Sequence, residues 1–332
     1  MRCNLISLLT VFALIATLAS TAWSAKQGSA ITDPAKAGPD FAVQGEYAGQ
    51  IESEGEKLDY GVQVIALGGG KFRGVGYVGG LPGAGWDGSE KITAEGQTQA
   101  DGVTLFQVDN EEETARLVDG TITVFNREGQ TIGTLKKIER TSPTLGAKPP
   151  AGAVVLFDGS SADAFEKGRM TDDGLLIEGA TSKQKFQDFT LHLEFRLPFM
   201  PTARGQGRGN SGFYAQGRYE VQILDSFGLG GKDNECGGIY KVGSPKVNMC
   251  LPPLSWQTYD IDFTAAVYEG GKKVKNARMT VRHNGVVIHK DLEIPHATTA
   301  APVRERAEPG PVFLQNHGNP VRFRNIWVMP KP

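Results

Sequence analysis

The sequence predicts an all-β protein: a sandwich of antiparallel sheets preceded by a small antiparallel β domain. Three observations predict it. Apolar runs are short, about five to eight residues each, rich in Val, Ile, Thr, Phe and Tyr, and bounded by Gly, Asp or Asn. No ten-residue stretch carries a convincing helical period. Glycine and proline are abundant, at 43 and 18 of 332 residues, without a collagen period. A formal net charge of −2 gives no reason to expect a nucleic acid as partner.

The chain begins with Arg2, an apolar core "LISLLTVFALIATLA" and small residues that place Ser20/Ala22 or Ala22/Ser24 at the −3/−1 positions. Residues 1–24 therefore read as a secretory signal. A retained anchor is the alternative, but the apolar core is short for a span. Cys3 precedes that core and is not at a lipoprotein cleavage site. No later segment is apolar enough to cross a bilayer. The expectation is a periplasmic or secreted protein with no membrane association after cleavage. Residues 25–40 read as a linker. Residues 41–140 hold "YGVQVIAL", "KFRGVGYVG", "GVTLFQV", "TARLV", "TITVFN" and "TIGTLKKI", the strands of the small β domain. Residues 141–150, "TSPTLGAKPP", read as a second linker.

The main domain follows over residues 151–332. In "FTLHLEFRL", Phe189, Leu191, Leu193, Phe195 and Leu197 alternate with Thr190, His192, Glu194 and Arg196. In "ARMTVRHNGVVIH", Asn284-Gly285 predicts a two-residue hairpin turn, with His283 exposed beside it. "WQTYDIDF" and "VRFRNIWV" add strands, and facing sheets give the sandwich.

Cys236 and Cys250 would meet an oxidising environment after export, and a disulfide between them would contribute about 3 kcal/mol. A metal pair lacks a further Cys or His at ligand spacing. Gly207, Gly209 and Gly212 satisfy G-x-G-x-x-G, but a strand follows where a dinucleotide site needs a helix, so they read as a loop. Neither His-Glu-x-x-His nor Gly-x-Ser-x-Gly occurs.

Two polar constellations remain. In "RYEVQILD", strand periodicity puts Tyr219, Val221 and Ile223 on one face and Glu220 and Gln222 on the other, with Asp225 beyond. In "PVFLQNHGNPVRFRNIW", Gln315 and His317 share a face and Arg324 follows on the next strand. These faces are either solvated or the floor of a polar site. With Asn210 they suit sugar hydroxyls, and Tyr214, Tyr240 and Trp256 could stack on a sugar's apolar face. Glu220 and Asp225 fall on opposite faces of an ideal strand, which leaves Glu194 with Glu220 an equally open carboxylate pair.

From about Ala151 to Met329 the sequence resembles the 3-keto-disaccharide hydrolase domain family. "VVLFDG", "DGLLIEG", "FTLHLEFR", "GNSGFY", "YEVQILDS", "GGIY", "WQTYDI", "HNGVVIH" and "LQNHGNPVRFRNIWV" carry the resemblance, in the family's order. It implies a concanavalin A-like jelly-roll sandwich and cleavage of glycosides oxidised to a ketone at sugar carbon 3. A glycoside or oligosaccharide is the implied substrate. On that chemistry His317 is the expected base and Glu220 the acid or second base, with Glu194 and Asp225 as further carboxylates. Arg324, or a divalent metal ion bound by Asp225 or Glu220, would steady the oxyanion. A non-catalytic carbohydrate-binding module is the alternative, since a fold does not fix a function. The small β domain lies outside the resemblance.

Overall fold

The computed structural model describes residues 29–108 and 114–332. The signal-peptide reading of residues 1–24, with Cys3, lies outside them. Eight antiparallel strands form a closed up-and-down barrel. They are β1 (Gly45–Ser53), β2 (Glu56–Gly68), β3 (Lys71–Val78), β4 (Ile92–Thr98), β5 (Thr104–Val108), β6 (Thr114–Val118), β7 (Thr121–Phe125) and β8 (Thr131–Ile138). Each pairs with the next, and β8 returns to β1 through Glu46↔Ile138 to Ile51↔Gly133, so the sheet has no free edge. Alternate residues point inward, and Tyr47, Val64, Phe72, Phe106, Leu117, Ile122 and Leu135 fill the interior.

The rest of the chain is the predicted sandwich. Its first strands are β9 (Val154–Phe157), β10 (Phe165–Glu166), β11 (Leu176–Ile177), β12 (Ala180–Phe186), β13 (Phe189–Arg196), β14 (Ser211–Ala215) and β15 (Tyr219–Ile223). There follow β16 (Trp256–Thr264), β17 (Val267–Glu269), β18 (Lys272–Lys275), β19 (Ala277–His283), β20 (Val286–Ile294), β21 (Gly310–Leu314) and β22 (Arg322–Pro330). One sheet has the order β10-β12-β21-β14-β15; the other has β11-β22-β13-β16-β19-β20, with β9 beside β22. Phe189, Leu191, Leu193 and Phe195 of the second sheet and Phe213, Val221, Ile223 and Leu314 of the first belong to one buried cluster between them. At the β19–β20 turn Asn284 and Gly285 both have positive φ, 50° and 81°, as a type I′ hairpin requires. His283 departs from expectation. It is buried, with Nε2 3.0 Å from Gln257 Oε1, and burial pushes its pKa down to about 3.

Neither expected linker is a free tether. Ile31 bonds Phe199 in both directions, at 3.0 and 2.8 Å. Residues 142–147 form a strap across the outer face of the second sheet. Thr144 Oγ1 donates to Asp260 Oδ2 at 2.6 Å, Gly146 N donates to Glu194 Oε1 at 2.6 Å, and Trp327 Nε1 and Asn325 Nδ2 donate to the Ala147 carbonyl. The strap explains why His192 and Glu194, on the polar face of β13, are both fully buried. Barrel residues Ile65, Val75, Tyr77 and Leu81 join the sandwich's apolar cluster, while Phe199 and Leu254 join the barrel's. Each such buried side chain stabilises the pair by about 1.5–3 kcal/mol.

Candidate active-site cleft

Cross-strand pairing builds the site. Gly212 lies opposite Gln222 and Tyr214 opposite Glu220, so these residues share one sheet face while Phe213, Val221 and Ile223 turn into the core. Gln315 N donates to the Gly212 carbonyl at 2.8 Å, which brings the end of β21 onto the same face. Gly212 leaves room there for the Glu220 carboxyl. A Cβ at that position would lie 2.4 Å from Glu220 Oε1, so the carboxyl occupies the room a side chain would need. The free edge of β15 is covered by two loops. Glu220 N donates to Thr298 Oγ1 at 2.9 Å, while Gln222 N and O pair with Gly238 O and Gly237 N, both at 2.9 Å. These bonds fold Tyr240 on one side and Thr299 and Ala300 on the other over the sheet.

The result is a cleft of about 220 Å³ lined by Gln206, Asn210, Tyr214, Glu220, Gln222, Tyr240, Thr299, Ala300, Gln315 and His317. Gln315 Nε2 donates to the Tyr214 hydroxyl at 3.1 Å, and Tyr214 is hydrogen-bonded to the Glu220 carboxyl. Asn210 Nδ2 donates to Gln206 Oε1 at 3.0 Å, leaving Asn210 Oδ1 and Gln222 Oε1 as buried acceptors without a partner. Unsatisfied buried acceptors are costly. Both belong to residues that line the cleft.

Burial raises the pKa of Glu220 to about 7, against a smaller opposing effect of the Tyr214 hydrogen bond. Burial also pushes Tyr214 well above the usual phenol range, reinforced by the Glu220 charge. The cleft thus holds a carboxyl that keeps its proton up to near-neutral pH, beside the exposed imidazole of His317.

The structure brings together seven of the residues singled out from the sequence: Asn210, Tyr214, Glu220, Gln222, Tyr240, Gln315 and His317. Four lie elsewhere. Glu194 is on the other sheet, where Arg324 Nε donates to its Oε2 at 2.7 Å and Asn325 Nδ2 to its Oε1 at 2.9 Å. Arg324 itself stacks on Trp256, its guanidinium carbon 4.0 Å from the ring centroid, so neither it nor Trp256 reaches the cleft. Asp225 accepts from Arg208 Nε at 2.6 Å inside the protein. With Asp225 so engaged, Glu220 is the one carboxylate lining the cleft among the described residues. No group of three His, Cys, Asp or Glu that could hold a metal ion gathers among them.

The expected disulfide is also corrected. Cys236 and Cys250 are hydrogen-bonded neighbours but both are buried thiols. Cys236 Sγ lies 3.3 Å from the Tyr259 hydroxyl, and burial pushes the Cys250 thiol up. The sequence reading missed Gln206, Thr299 and Ala300. Gln206 sits in a glycine-rich stretch with no period to mark its direction, and Thr299 and Ala300 enter only because neighbouring Thr298 binds the edge of β15.

A family described as the 3-keto-alpha-glucoside-1,2-lyase-like domain matches residues 152–329. A crystal structure of a glycosyl hydrolase candidate from Parabacteroides distasonis is 34% identical, covering 55% of this chain and 85% of its own, with a TM-score of 0.50. Two further glycosyl hydrolase candidates from that organism are 17% and 21% identical. They cover 55% and 54% of this chain and 94% and 99% of theirs, with TM-scores of 0.40 and 0.38. A search of curated proteins returned no match.

Proposed function

The chain belongs, over residues 152–329, to the 3-keto-α-glucoside-1,2-lyase-like domain family, and on that premise we propose that its cleft cleaves glycosides already oxidised to a ketone at sugar carbon 3. One observation carries the reading. A single carboxyl, held by burial with a pKa of about 7, shares the cleft with an imidazole, and no second carboxylate lines it among the described residues. A conventional glycosidase needs two carboxylates flanking the scissile bond. Elimination next to a ketone needs one base and one acid.

The ketone acidifies the proton on carbon 2. His317, whose imidazole lines the cleft, takes that proton as general base. The electron pair left behind forms the carbon 1–carbon 2 double bond as the carbon 1–oxygen bond breaks. Glu220, protonated near neutrality, gives its proton to the departing glycosidic oxygen. Amide N–H groups of Gln222 and Gln315 stabilise the charge developing on the ketone oxygen, in place of the expected Arg324. Water adding across the double bond completes a net hydrolysis; release before that step is the lyase outcome. The signal-like N-terminus supports a periplasmic or extracellular setting.

The test is turnover of a 3-keto-disaccharide, read as released reducing sugar. His317→Ala should abolish turnover while the melting temperature stays within about 3 °C, since surface changes usually cost little. A variant that keeps most of its activity would exclude His317 as the base. A wild-type protein that binds the sugar without cleaving it would favour a lectin-like module.

A further inference from the structure

The barrel lies outside the family match, yet it abuts both segments that flank the cleft. Gln206 and Asn210 sit between β13 and β14, in a connection whose regular structure is one 3₁₀ turn at Gly205–Gly207. Arg208, 5% exposed, lies inside that connection. Its Nε donates to Asp225 Oδ2 at 2.6 Å, and Asp225 N donates back to the Arg208 carbonyl at 3.1 Å. Its Nη1 donates to the Ala66 carbonyl on barrel strand β2 at 3.2 Å, and to the Pro201 carbonyl at 3.3 Å. One guanidinium therefore joins the barrel, the Gln206–Asn210 wall and the end of the strand that bears Glu220 and Gln222.

Neighbouring contacts run the same way. Arg204 Nη2 donates to the Leu67 carbonyl at 3.0 Å, and Lys91 Nζ donates to the Leu229 carbonyl at 3.2 Å. A Cβ on Gly228 would lie 2.4 Å from Ile65 Cδ1, so the segment after Asp225 is packed directly on the barrel.

We propose that the barrel positions the cleft, and that Arg208 is the positioning residue through which it sets Gln206 and Asn210 against Gln222. The proposal rests on the reading of the cleft as the substrate site. Arg is suited to the task because its planar fork can bond the carboxylate and the carbonyls together, whereas a lysine presents one compact charge. Asp225 thereby takes a supporting role: it orients the arginine rather than meeting the substrate.

The test uses the full chain with Arg208→Lys, and with the double variant Arg208→Met/Asp225→Asn, which leaves no charge stranded in the interior. Hydrogen exchange at the amides of Gln206 to Gly212 should rise by about tenfold or more in both, with those of β16 and β19 unchanged. With a 3-keto-disaccharide, KM should rise about fivefold or more while kcat stays within about twofold, because the wall holds substrate but moves no proton. Unchanged exchange would overturn the proposal, as would a kcat that falls with the folded fraction at constant KM. Should the wild type cleave nothing, the exchange measurement still decides what Arg208 does, and the reaction reading falls separately.

Discussion

Glu220 is where stability and chemistry pull against each other. Its folded pKa of about 7 lies above the ordinary carboxylate value, so between the two the native state holds a proton that the unfolded chain has lost. Stability from this group is full below the unfolded value and declines as pH rises through about 7. Glu220→Gln keeps the shape and removes the buried charge. It should leave stability at pH 4 nearly unchanged and raise it at pH 8 by up to about 3 kcal/mol, while abolishing turnover. Denaturant melts at the two pH values check this, and equal gains at both would mean that the carboxyl is not held protonated. The alternation of Glu220 and Gln222 with Val221 was legible in the sequence, because a strand has a strict period of two. The raised pKa was not, because it depends on the loops of Tyr240 and Thr298 closing over the edge of β15.

At the scale of elements, the strap of residues 142–147 exchanges solvent for a buried polar network on the second sheet. Glu194 is its centre, with partners on the strap, on β13 and on β22. Burial opposes its charge, but hydrogen bonds from His192, Asn325 and Arg324 and the Gly146 amide outweigh that and hold its pKa down to about 2. A depressed carboxylate stabilises the fold above its unfolded pKa, and that contribution is lost as pH falls through about 2. Glu194→Ala removes the acceptor of Arg324, Asn325 and the Gly146 amide, while His192 keeps Asp260, and should cost about 1–3 kcal/mol, with no effect on KM. Thermal melts alongside kinetics check both parts. From the sequence alone Glu194 looked as eligible for catalysis as Glu220, since both alternate with apolar residues on good strands. What separates them is which sheet each strand joins, and the pairing of β13 with β16 and β22 is non-local. Proline in "TSPTLGAKPP" suggested a tether for a similar reason: its composition speaks of turns, and its hydrogen-bond partners lie far along the chain.

The whole molecule is two β units that share apolar contacts. The strands of the small N-terminal unit were readable from alternation and turns, but closure into a barrel was not, because it rests on β1 meeting β8 across the length of the unit. A fragment of residues 151–332 keeps all the strands of both sandwich sheets and should fold with a β-type circular dichroism spectrum. It loses the strap of residues 142–147 and the cover of Ile65, Val75, Tyr77 and Leu81, and should melt at least about 5 °C below the intact chain. An unfolded fragment would mean that the sandwich is not a folding unit by itself. An equal melting temperature would mean that the shared cluster contributes little.

The central claim is that this cleft removes the carbon 2 proton of a 3-keto-glycoside. The most direct measurement is nuclear magnetic resonance of a 3-keto-disaccharide incubated with the protein in deuterated water. Loss of the carbon 2 proton signal together with release of the second sugar, both abolished in His317→Ala, is the predicted result. Cleavage that leaves the carbon 2 proton in place would contradict it, because the glycosidic bond would then have broken without the base.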